Sequence, residues 1–156
     1  MNWLHELITN RFLVTGISSW FVAQLSKTII HAIINKKLVL ERMVGDGGMP
    51  SGHSATVTSL AVISGLSFGF NSFQFAVTAL LATIVCHDAM GVRLETGKQA
   101  QILNELTKAF EVWTKEELPE IKLKEFVGHT PIQVLAGMLL GIINGFVMHF
   151  LVFPLF

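Results

Sequence analysis

The sequence predicts an all-α fold, an integral membrane helical bundle of about four transmembrane helices with an amphipathic helix in its long loop. Two observations carry this expectation. The first is composition. Of 156 residues, 51% are hydrophobic and 14% charged, against about 25% charged in ordinary soluble domains, and the mean hydropathy is +0.58. The second is where the charge sits. Of 22 Asp, Glu, Lys and Arg residues, 19 fall within Lys36–Asp46 and Asp88–Glu125. No charged residue occurs from Gly47 to His87 or from Phe126 to Phe156. A soluble helix repeats a polar face every turn, whereas a bilayer span needs about 20 mostly apolar residues. The same figures exclude other classes. A disordered chain would be poor in apolar residues. Eleven basic residues balance eleven acidic ones, so the basic excess of a nucleic-acid binder is missing. One cysteine, Cys86, cannot form an internal disulfide.

The elements follow in order within a single membrane domain, residues 1–156. The first span covers about Phe12–Asn35 and is interrupted by Lys27. The second runs from about His53 to Phe68, and a turn at Gly69-Phe70-Asn71-Ser72 leads to the third, about Phe73–His87. Both are short for full spans. A polar segment, 88–130, follows. Within it Ile102, Leu103, Leu106, Phe110 and Trp113 recur at helical spacing among Lys98, Glu105, Lys108 and Glu111, an amphipathic helix over Gly97–Trp113 that Pro119 ends. The fourth span is about Pro131–Phe153. The N-terminus lacks the basic start, apolar run and cleavage site of a removable signal peptide. Four spans put nine of the eleven Lys and Arg residues on one side. The positive-inside rule makes that side cytoplasmic, and the expected location is the plasma (inner) membrane.

Ionisable groups in membrane spans are functional candidates by default, and here they gather at the charged side. The first cluster is Gly45-Asp46-Gly47-Gly48-Met49-Pro50-Ser51-Gly52-His53-Ser54. Its glycines let backbone approach a ligand, and N–H groups opening a helix form an anion site. The second is His87-Asp88-Ala89-Met90-Gly91-Val92-Arg93, and the third Gly128-His129-Thr130-Pro131-Ile132-Gln133. Each alone is explained by capping, a boundary salt bridge or an interfacial histidine. All three fall at one membrane face in spans drawn only from hydropathy, and that coincidence favours a shared site. Lys27 lies about two turns inside the charged end of the first span, and either snorkels to the interface or aims at the same site. Gly137, Gly141 and Gly145 repeat every four residues, as do Gly65 and Gly69. Such faces let membrane helices pack closely and offer a route to homo-oligomers.

Pro50-Ser51-Gly52-His53 resembles the PSGH motif of the type-two phosphatidic acid phosphatase and vanadium haloperoxidase superfamily. His129 through Gly141 resembles its last motif, a histidine, an aspartate four residues later and a glycine-rich helix. Gly47–Ala55, Asp88–Arg93 with Gly97-Lys98-Gln99-Ala100, and Gly128-His129 are similar to signatures of the superfamily's divergent small-membrane-protein branch. The resemblance covers most of residues 20–145. It implies a membrane phosphatase acting on a lipid phosphate or related phosphoester through a phosphohistidine, with no metal and no cofactor. His129 would attack phosphorus and His53 would protonate the leaving group. Lys27, Arg93 and Arg42, with the backbone around Gly47, Gly48, Ser51 and Gly52, would hold the phosphoryl oxygens.

The chain departs from the superfamily pattern in three places. No arginine precedes His129 closely, so Arg93 would have to substitute. The first motif's Arg-Pro pair is absent. The aspartate that orients the nucleophile is Gln133, which fixes a tautomer without supplying charge, leaving Asp88 to supply it from elsewhere. Two other readings stand beside the phosphatase. One is an inactive relative that binds an anionic lipid headgroup or a partner. The other is a zinc site built from His53, His87, Asp88 and His129.

Overall fold

The computed structural model describes residues 2–37, 39, 43, 47–114, 123–125 and 127–155. Among these residues six α-helices follow in order: α1 (Trp3–Ile8), α2 (Arg11–Asn35), α3 (Gly52–Phe68), α4 (Phe73–Met90), α5 (Val92–Thr114) and α6 (Pro131–Val147). A π-helical turn, Met148–Val152, and a 3₁₀ turn, Phe153–Leu155, extend α6. Among the described residues there is no strand, and the protein is an all-α membrane protein.

Local sequence fixes the starts of α2, α3, α4 and α6 and the turn after α3. Asn10 caps α2, its Oδ1 accepting from the N–H groups of Phe12 (3.0 Å) and Leu13 (3.1 Å). Ser51 caps α3 and Ser72 caps α4 in the same way, through Ser54 N–H and Phe75 N–H. Gly69, at φ 88°, makes the turn between α3 and α4 within the four residues expected from sequence. Pro131 opens α6.

Among the described residues, three stretches are long and apolar enough to cross a membrane: Arg11–Asn35, Phe73–Thr114 and Pro131–Val152. The remaining apolar helix, α3, has 17 residues, or about 26 Å at 1.5 Å per residue. It is the central element, packed against α2, α4 and α6. The core it forms is made mostly of small side chains, Ile63 and Val134 being the larger ones completely buried there. Ser19, Ala23, Ser51, Ser54, Ala55 and Ser59 are completely buried, while Phe73, Leu80, Ile84 and Leu139 point outward at 60–80% exposure. That inversion of a soluble core is what a hydrocarbon surround allows, because association there depends on close packing and polar links rather than on hiding large apolar groups. The links are present. Ser19 Oγ donates to the Ala55 carbonyl (3.0 Å), joining α2 to α3. Asn144 Nδ2 donates to the Thr15 carbonyl (3.2 Å) and Ser18 Oγ (3.1 Å), joining α6 to α2.

Two expectations need correction. The glycine face of α6 does not lie open for a second copy. Gly137, Gly141 and Gly145 lie directly on α3. A Cβ at Gly141 would strike the Ala55 carbonyl and sit 3.0 Å from Thr58 Cβ, and one at Gly145 would sit 2.8 Å from Val62 Cγ1. Gly65 is likewise closed, with Phe70 2.6 Å from the position of a Cβ. The route to homo-oligomers through these faces is therefore used up inside one chain. The third span does not end at His87 in a polar loop. α4 continues to Met90, and after a single non-helical residue, Gly91 (φ −100°, ψ −102°), α5 begins at Val92 rather than Gly97. The short helix α1, for which the sequence set no expectation, precedes the first span.

Candidate functional site

The site is built at the charged-loop end of the bundle. Gly47 (φ 77°) and Gly48 (φ 82°) take conformations that other residues rarely adopt. They turn the chain into the cis Met49–Pro50 bond and the Ser51 cap. His53 then stands in the first turn of α3, exposed. The Lys27 side chain crosses from α2, its Cγ and Cδ both 3.3 Å from where a Gly48 Cβ would be. Only 5% of Lys27 is exposed.

His129 comes from the segment that returns to α6, and three features dock it. Asn104 of α5 binds residues 123 and 125 of this segment: its Nδ2 donates to the Leu123 carbonyl (2.9 Å) and Glu125 Oε1 (2.8 Å), and its Oδ1 accepts from Leu123 N–H (3.1 Å). Gly97 lets the Glu125 and Val127 carbonyls approach to 2.7 Å of its missing Cβ. Gly128, at φ 85°, lies against the backbone of Arg93 and Leu94. The His129 N–H then donates to the Ala89 carbonyl (3.0 Å), tying the segment to the end of α4.

The His129 ring is 5% exposed. Its Nδ1 lies 3.3 Å from Gln133 Oε1, and the same oxygen accepts from Thr130 N–H (3.1 Å). An acceptor at Nδ1 favours the tautomer protonated there. Burial lowers the His129 pKa, hydrogen bonds to Gln133 and to the Gly48 backbone oppose this, and the charges of Lys27 and His53 lower it further. The His53 and His129 rings lie 6.3 Å apart between centroids, tilted by 59°.

A pocket of about 250 Å³ opens between the two histidines. Gly47, Asp88, Arg93 and Gly128 line its polar part, and Ile84, Val85 and Val127 line its apolar wall. Arg93 Nε donates to Asp88 Oδ2 at 2.6 Å, which leaves the terminal Nη groups of the guanidinium for a ligand.

The geometry thus gathers Lys27, Gly47, Gly48, His53, Asp88, Arg93 and His129, with Gln133 behind His129. Other expectations fare differently. Asp88 bonds Arg93, and Gln133 is the side chain at His129 Nδ1, so Asp88 does not supply charge to that ring directly. Ser51 is fully buried, its hydroxyl accepting from Ser54 N–H and Oγ and its N–H donating to the Gln133 carbonyl. It therefore caps α3 and ties it to α6 instead of facing the pocket. Gly52 turns towards Trp20 and Gln24 of α2. Arg42 lies outside the described residues. Among the described residues no three His, Cys, Asp or Glu side chains gather as metal ligands, so the zinc grouping of His53, His87, Asp88 and His129 does not form. Asn104 and Ala89 were not singled out in the sequence. A lone Asn on the non-apolar face of α5 was the available signal for the first, and a backbone acceptor such as Ala89 leaves none.

Comparison with known proteins agrees with the motifs. The profile of the divergent PAP2 family matches residues 8–144. The chain belongs to this family. It is also 40% identical over 147 residues to the uncharacterized membrane protein YuiD of Bacillus subtilis (strain 168), an alignment covering 88% of this chain and 93% of the relative. No solved structure matches. Family membership makes the chain a phosphatase-like membrane protein. The matched stretch contains every residue named as lining the pocket.

Proposed function

We propose that this protein is a membrane phosphatase that hydrolyses a lipid phosphate or related phosphoester at the cytoplasmic face of the plasma membrane. The observation that carries the reading is the pairing of His53 and His129 across one pocket. Their separation lets a single phosphoryl group be contacted at about 3 Å from each side. His129 Nε2 attacks phosphorus. As the bond from phosphorus to the ester oxygen breaks, protonated His53 gives its proton to that oxygen. Neutral His53 then takes a proton from water, whose oxygen attacks phosphorus, and the N–P bond breaks to release inorganic phosphate. Arg93, Lys27 and the backbone of Gly47 and Gly48 hold the equatorial oxygens, which is where stabilisation counts most in phosphoryl transfer. The test is vanadate-sensitive phosphate release by purified protein in lipid, compared with His53→Ala and His129→Ala. Loss in both variants is expected. No turnover by folded wild type across a broad panel of lipid phosphates contradicts the reading.

One observation favours a second reading, an inactive relative that binds an anionic headgroup. The group at His129 Nδ1 is a neutral amide, Gln133, which cannot stabilise an imidazolium by charge. On that reading lipid-phosphate binding survives His129→Ala and is abolished by Arg93→Ala.

A further inference from the structure

A second concavity, of about 360 Å³, adjoins the phosphate-shaped pocket and shares His53 and Val85 with it. Its walls are apolar. α2 contributes Gly16, Ile17 and Trp20, α3 contributes Thr56 and Val57, and α4 contributes Val85. Thr56 spends its hydroxyl on the Gly52 carbonyl (2.9 Å) and turns its methyl towards Gly16. Ile17 and Trp20 remain 58% and 41% exposed, so the groove opens sideways on the flank of the bundle. We infer that this groove holds the hydrocarbon chain of the substrate whose phosphate sits between His53 and His129. Continuity decides the occupant. One end of the groove is the polar pocket, the other opens where the bilayer lies, and a lipid phosphate is the ligand with both chemistries joined. His53 stands at the junction, where the ester oxygen between chain and phosphate would be. Gly16 sets the depth of the groove. A Cβ there meets Leu60 at 3.4 Å and Thr56 at 3.6 Å, ordinary contact, so one added carbon fits beside α3, and bulk beyond it competes for the space next to Thr56.

The assignment rests on the phosphate reading of the neighbouring pocket, and the test separates the two. Wild-type protein in nanodiscs is photolabelled with a phosphatidic acid carrying a diazirine in its acyl chain. The expected labels are on Ile17, Trp20, Thr56 and Val57, displaced by unlabelled phosphatidic acid and not by diacylglycerol. Gly16→Leu is expected to lower the ratio of long-chain to short-chain ester turnover at least tenfold. Orthophosphate binding is followed in parallel by ³¹P NMR. Labelling indifferent to the phosphate competitor, as annular lipid would give, overturns the groove. So does labelling confined to other helices, or cross-linking of one copy to another through these residues. If orthophosphate still binds in those cases, the phosphate pocket stands and only the groove falls. If neither binding nor labelling occurs, both fall.

Discussion

His129 shows how one buried side chain sets a pH window. Burial is the largest influence on it and favours the neutral ring, so its folded pKa lies below the ordinary value of 6.5. Two consequences follow with fixed sign. Stability is complete above 6.5 and is lost as pH falls through the folded pKa, because the unfolded chain binds the proton more readily. A nucleophilic His129 also stays competent into mildly acidic solution, so the acid limb of the kcat/KM profile should lie below 6.5. Lys27 lowers the same pKa by charge. Lys27→Met should therefore move the acid limb upward while weakening phosphate binding, and a pH–rate series on the two proteins checks this. An unmoved limb would mean that Lys27 does not face the ring. His129→Ala should reduce phosphate release on the order of 10³-fold or more.

Elements meet in this protein through absent side chains. Gly141 and Gly128 have no room for a Cβ because backbone occupies the place. Gly141→Leu should separate α3 from α6 and cost about 1–3 kcal/mol or more, as overpacking does. Gly128→Ala should cost about 1–3 kcal/mol through its positive φ and also displace His129, whereas Gly16→Ala should be close to neutral. Denaturant midpoints in detergent, with phosphate binding measured beside them, distinguish the three. Asn104→Ala removes the clamp on Leu123 and Glu125 and should cost about 1–3 kcal/mol. Its effect on activity should exceed its effect on global unfolding, since the segment it holds carries His129.

This level also marks where the sequence stops being informative. The uncharged stretches and the Gly69 turn are dictated by bilayer solvation and local backbone freedom, so they are legible from residue order; the caps at Asn10 and Ser72 are equally local, but were not drawn from the sequence. The continuation of α4 into α5, the helix α1 and the docking of 123–129 on Asn104 depend on contacts between distant segments. The site divides in the same way. His53, His129 and Arg93 were readable as chemistry gathered at one membrane face. The fate of Ser51 and Asp88 was not, because it depends on which neighbour each meets first.

At the scale of the whole molecule, net charge is zero, yet the described ionisable groups cluster at the end that carries the pocket. If that end is cytoplasmic, as the positive-inside rule gives, a cysteine at Lys98 should react with an impermeant maleimide only after cells are opened, and one at Asn71 should react from outside. The native Cys86 is buried and should contribute little background. The central claim, that His53 and His129 act together on one phosphoryl group, is tested most directly by rapid acid-free quenching of the protein with ³²P-labelled phosphatidic acid, followed by peptide mapping. The account predicts an acid-labile phosphohistidine at His129, absent in His129→Ala and formed more slowly in His53→Ala. A folded wild type that turns over the lipid without label at His129, or that carries the label on another residue, would contradict it.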